Sequence, residues 1–113
     1  LGVEYILNNP DQGFYMVAEH SSNVIGALRI SFERSVSRNG FFWWIQNVCV
    51  HKDYRGNGIF QKLHNEVVKL AKKNDHVVAI KLHVHTNNKS AIKAYEKAGM
   101  EKTPEYPYIL NIK

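Results

Sequence analysis

The stretch that most constrains the chain runs from Val48 to Phe60, Val-Cys-Val-His-Lys-Asp-Tyr-Arg-Gly-Asn-Gly-Ile-Phe, where an apolar strand passes through a glycine-punctuated turn into an amphipathic helix. A turn that delivers a strand onto the first turn of a helix presents N–H groups with no intrahelical partner, at the positive end of the helix dipole. Such a place can hold an anion, phosphate above all. Gly56 and Gly58 let the backbone turn sharply and approach a ligand with no Cβ in the way, and Arg55 can add charge at the mouth. Two phosphate motifs are excluded. The turn is not followed by Gly-Lys-Ser/Thr, and it lacks the third glycine of a dinucleotide fingerprint.

At 113 residues the chain is long enough for one core and too short for two. With 44% hydrophobic and 22% charged residues it has the composition of a soluble globular protein, and no long uncharged apolar run could span a bilayer. A single cysteine, Cys49, excludes an internal disulfide framework and suits a reducing compartment, so the cytoplasm is the expected location. The net charge of +5 would attract anionic cofactors or acidic partners, but charge alone does not select nucleic acid. The chain opens Leu-Gly-Val-Glu with no signal-peptide pattern, which suits a fragment, a processed form or the ordered part of something longer.

In chain order, Gly2 to Asn8 is a short apolar stretch ended by Asn9-Pro10, read as a helix tail or an approach loop. Phe14 to His20 reads as a strand, and Ser21-Ser22-Asn23 as a turn. Val24, Gly26, Leu28, Ile30 and Phe32 alternate with Arg29, Ser31 and Glu33, which predicts a half-buried strand in a hairpin with its predecessor. Asn39-Gly40 is a second hairpin signal. Phe41 to Val50 is apolar on both faces and is expected at the centre of a sheet covered on two sides, with Cys49 in the core and Trp43 and Trp44 on opposite faces.

From Gly58 the period becomes helical, with Ile59, Leu63, Val67 and Leu70 or Ala71 recurring and the lysines facing out as far as about Asn74. Val77 to Val84 is the next strand, with Val78, Ile80, Leu82 and Val84 on one face and Lys81 and His83 on the other. A strand, helix and strand in this order predict a right-handed parallel unit. Asn87 or Asn88 then caps a second helix with an apolar stripe of Ala91, Ile92, Tyr95 and Ala98, stopped by Gly99. Tyr106 to Ile112 is expected as a closing strand near an edge, because Pro107 cannot donate to a ladder.

Arg55-x-x-Gly58-x-Phe60 resembles Arg-x-x-Gly-x-(Gly/Ala), the acyl-coenzyme A signature of the GNAT superfamily of N-acetyltransferases. Asn88-x-x-Ala91-x-x-x-Tyr95-x-x-x-Gly99-Met100 resembles that family's second signature, Asn-x-x-Ala-x-x-x-Tyr-x-x-x-Gly-Phe. Both fall in the right order on the right type of element, and the resemblance runs from about Phe14 to the C terminus. It implies an α/β fold with a twisted, mixed sheet flanked by helices, whose parallel strands splay apart where the acyl-coenzyme A pantetheine lies. The family has a helical segment and a first strand before the point where this chain begins. Residues 1–113 are therefore expected to form a single domain lacking the usual N-terminal strand and helix.

The resemblance implies that Val48, Cys49 and Val50 supply the backbone that pairs with the pantetheine and polarises the thioester carbonyl. It places Arg55, Gly56, Asn57, Gly58, Ile59 and Phe60 at the pyrophosphate, Asn88 on the cofactor, and Tyr95 near the sulfur. A phenol there makes chemical sense, because the departing thiolate needs a proton or a hydrogen bond.

Two departures stand out. Phe60 replaces a small residue, and its side chain must point aside for the backbone to reach phosphate. Gln46 holds the neighbourhood in which many relatives carry a glutamate base, and an amide cannot take a proton from an ammonium at neutral pH. Gln46 is left to position water or substrate, with proton removal falling to water, His83, His85, Glu33 or bulk solvent. Plainer readings stand beside these: Tyr95 as a core tyrosine, Asn88 as a helix cap, and His83 with His85 as a solvated or substrate-facing pair without the third ligand a metal needs.

The functional reading is an acetyl-coenzyme A-dependent N-acetyltransferase that passes the acetyl group directly to a primary amine, with no metal. A small-molecule amine is the first choice of acceptor and a protein or peptide amine the second; a coenzyme A-binding module without catalysis is the competing class. The acceptor side is expected from the N-terminal segment, Ser35 to Gly40, and the region of Tyr106 and Tyr108, with Gln46 and His83 facing it. A second subunit, as in a homodimer, is an open source for any part of that pocket this chain lacks.

Overall fold

Alternating apolar residues and two long helical stripes produce the elements of the computed structural model, which describes residues 2–7 and 10–113. The strands are β1 (Gly2–Ile6), β2 (Gly13–His20), β3 (Asn23–Ser35), β4 (Gly40–Val50) and β5 (Val77–Leu82); helix α1 (Ile59–Lys72) joins β4 to β5, and α2 (Lys89–Lys97) follows. The chain divides into two compact units, the first ending at His83 and the second spanning Val84–Lys113. The sheet and α1 belong to the first, α2 to the second.

The five strands lie in the order β1-β2-β3-β4-β5, antiparallel except for the parallel pair β4 and β5. This is the mixed sheet with a parallel unit that the sequence predicts. Ser21 and Ser22, with φ of 52° and 67°, form the two-residue turn between β2 and β3, since His20 pairs with Asn23. Asn39 takes φ of 50° at the next hairpin. Gly40 is needed for a different reason: a Cβ there would lie 2.6 Å from Val78 Cγ1 and 2.7 Å from the His76 carbonyl oxygen.

Helix α1 lays Ile59, Leu63, Val67 and Ala71 on one sheet face, against Phe14, Met16, Ala18, Leu28, Ile30, Trp43 and Ile45. Phe14 and Phe32 close around Trp43, the latter stacked at 5.7 Å. His64 is buried on the same helix, and burial pushes its imidazole below the ordinary value. In the second unit, Asn88 caps α2, and Gly99 ends it with φ of 93°, its N–H donating to the Glu96 carbonyl while that of Met100 reaches Tyr95.

Four expectations are corrected. Residues 2–6 are a strand paired with β2, because Val3 packs on the core and the ladder continues from Gly2–Glu19 to Ile6–Tyr15; the expected end of that stretch at Asn8 and Asn9 lies outside the described residues. Residues 106–112 form no strand, Pro104 and Pro107 having removed two amide donors from this part of the chain. Val77, rather than Val78, packs on the core, because the β4–β5 register shifts between Phe41 and Phe42. Cys49 is exposed rather than in the core.

Candidate active site

The parallel ladder between β4 and β5 ends at Ile45–Leu82, while β4 runs on through Gln46, Asn47, Val48, Cys49 and Val50. Just past that last rung β4 also bulges against β3. Arg29 pairs with Gln46 and Ala27 with Cys49, so Asn47 and Val48 together face the single residue Leu28. Asn47 takes φ of 53°, the left-handed region that asparagine tolerates better than most residues. A bulge bends the strand and raises its local twist, turning the β5-facing edge of Val48, Cys49 and Val50 out of the ladder. Val48 and Cys49 are exposed there and Val50 is half-buried. Asn47 is the residue that sequence reasoning missed. Its one signal was an asparagine inside an apolar run.

Val50 leads into the turn. The His51 N–H donates to the Ile25 carbonyl at 2.7 Å, and His51 Nδ1 accepts the Asp53 N–H, capping the short 3-10 turn Lys52–Tyr54. Arg55 folds back so that its Nε donates to the Val50 carbonyl at 3.1 Å, tying the turn to the end of β4 with one arm of the guanidinium. Gly56 and Gly58 take φ of 81° and 75°, with open space where each Cβ would stand. Asn57, between them, is exposed. Gly58 starts α1 without a side-chain cap, and its carbonyl accepts the first helical hydrogen bond, from the Lys62 N–H at 3.1 Å. Phe60 turns aside as the motif requires, its ring 5.6 Å from that of His64 one helical turn on. A helix start without a side-chain cap, behind two left-handed glycines, is the kind of place that can hold an anion.

The sheet face opposite α1 carries the polar groups. Gln46 Oε1 accepts from the Ser31 hydroxyl at 2.6 Å and from Arg29 Nη1 at 3.1 Å, and Arg29 also donates to Ser31. The amide oxygen is thus engaged, and the Gln46 side chain offers N–H donors and no base. Trp44 Nε1 donates to Glu33 Oε1 at 2.7 Å, and the His83 ring stacks on Trp44 at 4.6 Å. The first unit therefore brings together Gln46, Val48, Cys49, Val50, Arg55 to Phe60 and His83.

In the second unit, Asn88 Oδ1 accepts the Ala91 N–H at 3.2 Å, which leaves its amide nitrogen for other partners. Tyr95 is half-buried on the apolar stripe of α2, and burial pushes its phenol above the ordinary value near 10. Tyr106 is 79% exposed and lies beyond the helix in irregular chain. His85 Nδ1 accepts the Asn87 N–H. Among the described residues no cluster of three metal-ligating side chains occurs, and no helix is long and apolar enough to cross a membrane.

The family model of the acetyltransferase (GNAT) family matches residues 2–100. Among solved structures, a possible acetyltransferase from Clostridium difficile 630 is 32% identical with a TM-score of 0.83, over 90% of this chain and 67% of that one. Arabidopsis thaliana Naa50, in complex with the bisubstrate analogue CoA-Ac-MVNAL, is 35% identical with a TM-score of 0.69, over 79% of this chain and 58% of that one. The ribosomal-protein-alanine N-acetyltransferase of Brucella melitensis biovar Abortus 2308, at 16% identity and a TM-score of 0.79, shares the fold over 92% of this chain and 74% of its own. No curated protein matches the sequence significantly. With the open parallel strands, the glycine turn and these matches all in agreement, the chain belongs to the GNAT acetyltransferase family and is an N-acetyltransferase.

Proposed function

We propose that the chain uses acetyl-coenzyme A to acetylate the neutral nitrogen of a primary amine. The observation that carries this reading is the end of the β4–β5 ladder at Ile45–Leu82, directly before the bulge and the uncapped start of α1. Acetyl-coenzyme A supplies the reactive thioester. The backbone of Val48, Cys49 and Val50 hydrogen-bonds the extended pantetheine and polarises the thioester carbonyl, while the turn from Arg55 to Phe60 and Asn88 hold the phosphate-bearing part. Tyr95, a phenol and therefore protonated at neutral pH, gives its proton to the departing sulfur. His83 takes the proton that leaves the attacking nitrogen, since Gln46 cannot.

A small-molecule amine is the first reading of the acceptor. A peptide amine is the second, and one observation favours it: Naa50, at 35% identity, carries a peptide-containing bisubstrate analogue. The test is thermal stability with and without acetyl-coenzyme A, followed by thiol release against small amines and short peptides. A rise in melting temperature with thiol release supports the proposal, because a ligand that binds only the folded state must stabilise it. Absence of any shift at saturating acetyl-coenzyme A overturns the cofactor assignment. A shift with no release from any amine favours a binding module.

A further inference from the structure

His83 is the first residue after β5, beyond the last rung of the ladder, so no sheet pairing fixes its orientation. What holds its imidazole is a neighbouring ring. The indole of Trp44 lies under it at 4.6 Å, with the two planes 25° apart. An indole on a half-open sheet face has rotamers to choose from, and this one is fixed in turn. Its Nε1 donates at 2.7 Å to Oε1 of Glu33, a diagonal neighbour across β3 and β4, since Trp44 pairs with Ser31 and Glu33 with Phe42.

The remaining groups around the pair sharpen the arrangement. Lys81, opposite Trp44 in the parallel register, rests its ammonium 3.8 Å above the Phe42 ring centroid and 5.5 Å from that of Trp44. From β3 the charged groups on this face are Glu33 and Arg29; Arg29 is bound to Ser31 and Gln46. From β4, Trp44 and Gln46 are neutral. Glu33 is therefore the acid that anchors this row of side chains.

We propose that Glu33 and Trp44 are positioning residues for His83: the carboxylate pins the indole, and the indole face sets the plane in which the imidazole meets the acceptor amine. This rests on the reading of His83 as the proton acceptor. Neither residue touches substrate in this role. A general base contributes only when its nitrogen is aimed at the proton it removes, so loosening the indole lowers turnover without weakening cofactor binding.

Two measurements test the proposal on the full chain. In protein labelled with 5-fluorotryptophan, the Trp44 resonance, assigned by Trp44→Phe, moves in His83→Leu, which removes the stacked ring, and moves in Glu33→Ala, which removes the acceptor of the indole N–H. In thiol release with the best amine of the panel, Trp44→Leu and Glu33→Ala lower kcat about tenfold with KM for acetyl-coenzyme A unchanged, and Glu33→Gln recovers most of the loss because its amide oxygen still accepts the indole N–H. A Trp44 resonance indifferent to His83→Leu overturns the proposal. So does an unchanged kcat in Glu33→Ala and Trp44→Leu while His83→Ala is impaired, and that result leaves the role of His83 standing. If His83→Ala itself keeps full turnover across the pH range, the reading of His83 as proton acceptor fails instead, whatever the fluorine signal shows.

Discussion

Ile45 and Leu82 form the last rung of the parallel ladder between β4 and β5, and two residues later, at Asn47, β4 begins to bulge against β3. The two events are adjacent in sequence and reinforce each other. Pairing stops where the added twist of the bulge carries β4 away from its parallel partner. The exposed stretch from Val48 to Cys49 and the glycine turn beyond Val50 follow from that divergence.

Gly58→Ala separates the shape of the turn from its fit. A Cβ at this position meets open space, so the cost is the backbone strain of φ at 75°, about 1 kcal/mol. Stability in urea should fall by about that amount, while affinity for acetyl-coenzyme A by calorimetry falls about tenfold or more. Equal affinity in the variant would remove the turn from the cofactor site.

Gly40→Ala should behave in the opposite way. The new Cβ would press on the His76 carbonyl and on Val78, and overpacking of this kind costs about 1–3 kcal/mol. Denaturant midpoints should drop accordingly, with affinity for acetyl-coenzyme A per folded molecule retained.

Tyr95→Phe keeps the ring and removes the proton donor. Turnover should fall about a hundredfold with cofactor affinity retained, as thiol-release kinetics and calorimetry can show together. The same variant bears on alkaline stability. Since burial raises the Tyr95 phenol in the folded state, the unfolded chain gives up that proton first, and stability is lost as pH climbs past about 10. Tyr95→Phe should flatten that decline; a decline identical to the parent's would count against burial as its cause.

His64 governs the acid side. Burial lowers its imidazole in the folded state, so below the unfolded value of about 6.5 the unfolded chain takes up the proton first and stability drops. The contribution is complete at pH 7.5 and diminishes as pH falls toward 5. Urea midpoints at the two pH values should lie closer together in His64→Leu than in the parent.

Much of this architecture was legible because its signals are local. The period of α1 from Ile59 to Ala71, the alternation along β3 and the glycines at positions 56 and 58 each announce a conformation from a few neighbouring residues. Gly2 to Ile6 carried too short a pattern, and its strand character comes from pairing with β2. Cys49 looked like core because it stands between valines; the register break at Asn47 and Val48, which leaves it exposed, depends on how two strands are counted against each other. The stacking of His83 on Trp44 was equally hidden, since it joins residues 39 positions apart across a parallel register.

The two-against-one count at Leu28 also gives the bend of this strand a genetic meaning. Removing Asn47 would set Val48 opposite Leu28 and restore one-for-one pairing between β3 and β4, with the pairs Arg29–Gln46 and Ala27–Cys49 kept. The bend that carries β4 out of the parallel ladder thus hangs on one inserted residue.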